Sequence, residues 1–168
     1  MTINMEYPTW DKISKVLKVS DIVDPVEVYG NTALASKNNP QCVCNNRSDY
    51  NEKLVGIDIP VLLSQENKES KGIIVILGES PLRSKNDENP NNNIVFGLPY
   101  AVHMDINNPP QSRMYKNIFI RLLEEGYSIY LTDIIKAWWK LKKLDPQPDD
   151  INLFKEELNT LQSDKDNR

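Results

Sequence analysis

The chain is poor in thiol and imidazole side chains, with two cysteines and one histidine. Cys42 and Cys44 form a single C-x-C pair in "QCVCNN", and His103 does not raise the set to the four ligands of a zinc or iron–sulfur site. No metal or other cofactor is expected, and the two thiols read as structural or incidental. No apolar run approaches the ~18 residues of a membrane span. The stretch "MTINMEYPTWDK" lacks the charged, apolar and small-residue regions of a signal peptide. A soluble, cytoplasmic protein with no membrane partner is therefore expected. An excess of positive charge is also missing. The net charge is −4, so contact with nucleic acid has to come from a local basic patch and not from the field of the whole chain.

What is present suits one globular domain. The 168 residues are 39% apolar and 26% charged, enough for one sizeable core and far from a disordered composition. The expected organisation is a single domain over 1–168, with its core at 72–162, an N-terminal extension at 1–70 and a frayed tail at 163–168. No internal repeat is visible.

Residues 8–19 place Trp10, Ile13, Val16 and Leu17 at helical spacing behind a capping Thr9. "VDPVEVYGN" is a short β-branched segment ending on a turn signal, and residues 31–53 read as a loop. "KLVGIDIPVLL" alternates weakly and reads as an edge strand, since Pro60 argues against a central one. Residues 73–77, "IIVIL", are apolar on both sides, as in a parallel strand covered by helices. The polar loop "SKNDENPNNN" follows.

"SRMYKNIFIRLLEEG" predicts a helix with Met114, Ile118, Ile120, Leu122 and Leu123 inward and Gly126 as its stop. "YSIYLTDII" predicts a second buried strand, and "DDINLFKEELNTLQ" a last helix capped by Asp149 or Asp150. Its apolar residues are Ile151, Leu153, Phe154, Leu158 and Leu161. The order strand, loop, helix, strand argues for an α/β fold with a right-handed crossover.

In such folds ligands sit beyond the carboxyl ends of the strands. Residues 78–82 and 133–136 lie at two such ends. Between them, "FGLPYAV" brings a glycine for close backbone approach and the aromatic Tyr100. A carboxylate (Glu79), an aromatic platform and a second polar residue (Asp133) together suit a flat heterocycle.

Residues 73–136 resemble the uracil-DNA glycosylase superfamily, in ordered blocks and not in one short motif. "VILGESP" resembles the strand and turn carrying the water-activating acid, closest to the Gly-Glu-Ala-Pro branch. "GLPYAV" resembles the segment whose aromatic stacks on the flipped base. "NPPQSRMYKNIFIRLLEEG" is similar to the proline-rich loop and its helix, and "SIYLTDIIKAWW" to the strand ending in the base-reading asparagine.

The resemblance implies an α/β fold with three layers and a mostly parallel central sheet. It also implies a set of roles. Glu79 would orient or deprotonate a water and stabilise charge developing on the sugar. Gly78, Ser80, Pro81 and Leu82 would line the base, Tyr100 would stack on it, and Asp133 would read it. Arg83, Arg113, Lys136 and Lys140 would contact the DNA backbone. The implied partner is DNA, single-stranded or with a flipped base.

This chain departs from the family in three places. Asp133 stands where an asparagine both donates to and accepts from uracil, and an ionised Asp only accepts. Ala137 stands where the iron–sulfur branch has a cysteine. The family fold continues with two further parallel strands and a His-Pro-Ser motif, whereas this sequence stops at Arg168. The expectation is a fold incomplete on its C-terminal side, with an exposed strand edge through which chains can self-associate.

Blander readings stay open for the same residues. Glu79 can cap the helix or turn after the strand, Tyr100 and Phe96 can be core aromatics, and Asp133 can cap a helix over "IIKAWWK". "KAWWKLKK" is either a phosphate-tracking surface or a solvated helix face with its tryptophans turned inward. The functional readings are a DNA glycosylase, a non-catalytic remnant or binding module of the same fold that contacts DNA or a protein partner, and a small-molecule nucleobase or nucleotide binder.

Overall fold

The structure is a computed structural model, and it describes residues 2–16, 35–36, 54–81, 94–101, 113–139 and 145–166. In chain order the strands are β1 (Ile3–Glu6), β2 (Ala35–Ser36), β3 (Leu54–Asp58), β4 (Val61–Gln65), β5 (Ile73–Gly78), β6 (Ile94–Gly97), β7 (Ser128–Asp133) and β8 (Ala137–Trp139). The helices are α1 (Trp10–Val16), α2 (Arg113–Glu124) and α3 (Pro148–Asp166), with a short 3-10 turn at Pro99–Ala101. One sheet has the order β1-β4-β7-β5 and the other β2-β6-β3-β8. The segments "VDPVEVYGN" and "SKNDENPNNN", with Cys42, Cys44 and His103, lie outside the described residues.

The protein is α/β, but its sheets are mixed and not mostly parallel. In the first sheet only β5 and β7 run parallel, while β4 is antiparallel to both β1 and β7. In the second, β3 and β6 are parallel, and β2 and β8 add antiparallel edges. The cause sits in "KLVGIDIPVLL". Pro60 has no N–H to give a ladder, so the run breaks at Ile59 and Pro60, and its halves enter different sheets. Both halves are central strands, each flanked on two sides, which overturns the edge-strand expectation. The loop expected over 31–53 carries the two-residue β2.

Alternation along β7 divides the molecule. All six β7 residues are buried, as the sequence predicts. Ile129 and Leu131 point to one face, where they meet Val61 and Leu63 of β4 and Phe119 and Leu123 of α2. Tyr130 points to the other face, where it packs with Leu62 and with Leu161 of α3. Helices thus cover both faces. Each side chain so buried contributes about 1.5–3 kcal/mol.

The sequence set the apolar stripe of α2 slightly out of phase: Phe119 is buried and Ile118 is exposed. Gly126, at φ 90°, ends α2 as expected. Its N–H donates to Leu123 O and the next N–H, of Tyr127, to Leu122 O, a left-handed cap. β5 is less covered than its composition predicts, since Val75 and Leu77 are exposed. Of that face of β5, only Ile73 reaches the Leu62–Tyr130–Leu161 cluster beneath α3. α3 continues through Asp166, into the expected tail. Among the described residues no helix is long and apolar enough to cross a membrane.

Candidate functional site

The parallel pairing of β5 with β7 runs in register from Ile73 opposite Ser128 to Gly78 opposite Asp133. It continues past the strands, where Ile134 N donates to Gly78 O (2.9 Å) and Ile135 N to Glu79 O (3.0 Å). Gly78, Glu79 and Asp133 therefore share one carboxyl end of the sheet.

Asp133 is buried, and its side chain lies on the α2 face with Ile129 and Leu131. Its carboxylate covers Gly78: a Cβ at that position would come within 1.9 Å of Asp133 Oδ1. Only glycine leaves room for it. Glu79 is exposed, Ser80 half-buried and Pro81 buried.

Tyr100 comes to the same end from the 3-10 turn, which packs against β7. Its backbone is left-handed (φ 58°, ψ 17°), a conformation that a bulky side chain adopts at a cost. Tyr115 and Phe119 of α2 hold the ring, with centroids 5.1 and 5.8 Å away. Burial, then the Asp133 carboxylate, then Tyr115 raise the pKa of the Tyr100 phenol. The aromatic residue and the carboxylate thus act on one another electrostatically, while the Tyr100 ring also packs against the core.

No protein-family model, curated protein or solved structure matches the chain.

Three sequence expectations change here. Lys136 does not face a DNA backbone: it is buried, and its ammonium lies 2.6 Å from Glu157 Oε1 and 2.7 Å from Thr132 Oγ1. Asp133 caps no helix, because the chain bends after it and enters β8. For the same reason "KAWWKLKK" does not begin as a helix face; Ala137 to Trp139 pair with β3. Leu82, Arg83 and Lys140 lie outside the described residues, and Arg113 is the first residue of α2.

Behind the site is a polar network that sequence reasoning missed. Glu157 Oε2 accepts from Tyr130 OH (3.0 Å) and Thr132 Oγ1 (2.8 Å), and Tyr130 OH lies 2.8 Å from Thr9 Oγ1. Thr9 holds the capping position before α1, its carbonyl accepting from Ile13 N (3.1 Å), while its hydroxyl meets Tyr130 of β7. Lys136 Nζ also donates to the carbonyl of Asp133. Burial pushes the Lys136 ammonium below the usual lysine range, against the pull of Glu157. One signal was available: Glu157 stands between Leu153 and Leu161, four residues from each, in the buried stripe of α3.

Proposed function

We propose that the chain is a DNA glycosylase-like protein that hydrolyses the N-glycosidic bond of a damaged or deaminated base, uracil or a relative. The observation that carries this reading is the in-register meeting of Gly78 and Asp133, which sets the acid Glu79 one residue beyond the glycine that the Asp133 carboxylate covers. The sequence resemblance in the same blocks supports it.

On this reading the target nucleotide leaves the helix, at a cost of a few kcal/mol that is least for single strands and mismatches. Tyr100 stacks on the base, which is worth about 1–3 kcal/mol. Asp133 accepts from a base N–H or amino group. Glu79, the exposed acid of the set, orients or deprotonates the attacking water and faces the charge that grows on the sugar as the base departs. The test is base release from strands carrying uracil, hypoxanthine, xanthine or a modified cytosine, single-stranded and paired. Glu79→Gln is expected to lower release by about 10²–10⁴; full activity in that variant rules the mechanism out.

One observation favours a second reading, a non-catalytic binding module of this shape. Asp133 is 4% exposed and packed over Gly78, so much of its carboxylate is committed to the strand ends. A folded protein that binds single strands, releases no base and keeps its affinity on Glu79→Gln would establish that reading instead.

A further inference from the structure

We propose that Lys136 is a positioning residue: through Glu157 it ties the turn after β7 to α3, and so holds the Gly78, Glu79 and Asp133 strand ends from the opposite face of the sheet. The inference rests on the reading of those strand ends as the working site, and its main readout does not depend on it.

The geometry separates what Lys136 touches from what it serves. Thr132 and Tyr130 point toward α3, whereas the side chain of Asp133 points toward α2 and Tyr100. Lys136 comes from the α3 side, where its ammonium has three oxygen neighbours: Glu157 Oε1, Thr132 Oγ1 and the Asp133 carbonyl. It grips the backbone of the residue whose side chain covers Gly78. The intervening residues, Ile134 and Ile135, supply the N–H groups that hold the carbonyls of Gly78 and Glu79. Anchoring Asp133 and Lys136 to α3 therefore pins both ends of the segment that fixes Glu79.

Core packing alone does not call for this arrangement. Lys136 is 2% exposed and Glu157 1%, and two charges buried so deeply are commonly replaced by apolar side chains of similar volume with no loss of stability. What such a pair lacks is the ammonium that ties the Asp133 carbonyl to α3; the carbonyl keeps only the long 3.4 Å bond from Thr132 Oγ1, on its own strand. Stability and positioning are therefore separable by mutation.

The experiment compares the full chain with Lys136→Met, Glu157→Leu and the double variant. It reads urea midpoints, amide hydrogen exchange, and kcat and KM for base release from a uracil-containing single strand. Each single variant leaves a buried charge unpaired and is expected to unfold at lower urea, while the double variant recovers in part, its remaining cost being the Tyr130 and Thr132 hydroxyls that lose Glu157. In the partly recovered double variant, exchange at Ile134 and Ile135 is expected to quicken at least tenfold while Ile129 and Leu131 keep their protection. Its kcat should fall with KM unchanged. Wild-type exchange at Ile134 and Ile135 in the double variant overturns the proposal, leaving Lys136 a filler of the core.

A measurement on the wild type guards against variants that fail to fold. Nitrogen-15 NMR should show slowly exchanging Nζ protons on Lys136; fast exchange there overturns the anchoring. If the wild type releases no base while the local exchange pattern holds, the glycosylase reading fails and the coupling of α3 to the strand ends stands.

Discussion

Gly78 and Asp133 meet so closely across the β5–β7 ladder that the carboxylate fills the place of a side chain on the glycine. A Cβ built on Gly78 would lie 1.9 Å from Asp133 Oδ1 and 3.1 Å from its Cγ. Asp133 is buried, which leaves the carboxylate little room to turn aside. Gly78→Ala is expected to destabilise the fold by about 1–3 kcal/mol in urea unfolding, the usual cost of overpacking. Adding Asp133→Ala removes the colliding atoms, so the two changes should be non-additive by about 0.5–3 kcal/mol. Strict additivity would mean that the two residues are not in contact in solution.

The carboxylate of Asp133 also acts on Tyr100. It is the second cause, after burial, of the raised pKa of the phenol. Asp133→Asn keeps the shape and removes the charge, so the Tyr100 titration should move down while staying above the ordinary value of 10.0, because burial remains. Ultraviolet or NMR titration of that phenol reads the shift directly. An unchanged titration would separate the two groups. On the proposed chemistry the same variant moves base preference toward uracil, since an amide both donates and accepts.

Tyr130 gives the protein an alkaline limit. Burial and the Glu157 carboxylate raise its pKa far above the ordinary 10.0, while the unfolded chain titrates near the ordinary value. The folded state therefore keeps a proton that the unfolded state loses. The contribution to stability is fully present below pH 10 and falls above it by about 1.4 kcal/mol per pH unit. Tyr130→Phe should flatten this part of the slope, at a cost of about 1–3 kcal/mol for partners left short of a hydrogen bond. Urea midpoints of both proteins from about pH 8 to about pH 11 make the comparison. Equal slopes would show that Tyr130 is not held neutral.

Much of the architecture that brings the candidate residues together was legible because it depends on local order. The apolar β7 run, the Gly126 stop and the Gly-Glu-Ser-Pro turn are written in adjacent residues, and the pairing of β5 with β7 follows from the helix between them. The mixed sheets were not legible. Whether the two sides of Pro60 share a sheet depends on partners far away: β4 pairs with β1 and β7, and β3 with β6 and β8. Glu157 was hidden for a different reason. A carboxylate in a helix is ordinarily assigned to the wet face, and only the hydroxyls of Tyr130 and Thr132 with the Lys136 ammonium, all from one short stretch, make its burial tolerable.

The start of α3 offers a prediction in which two neighbouring aspartates behave differently. The sequence left the cap between Asp149 and Asp150. In the structure Gln147 O accepts from Ile151 N (3.1 Å), so Gln147 holds the capping position and Pro148 opens the helix. Asp150 reaches back, its Oδ2 accepting from Gln147 N at 2.8 Å, whereas Asp149 is exposed. This is the returning half of a capping box. Asp150→Ala frees a backbone donor and removes a charge that favours the Lys136 ammonium, so it should cost about 0.5–2 kcal/mol in urea unfolding. Asp149→Ala gives up only a favourable charge near the helix N-terminus, about 0.3–1 kcal/mol, and less as salt is added. Asp150→Asn keeps an acceptor for Gln147 N and should fall between wild type and Asp150→Ala. If Asp149→Ala proves the costlier change, the cap belongs to Asp149 and the turn at residues 145–147 is set differently in solution.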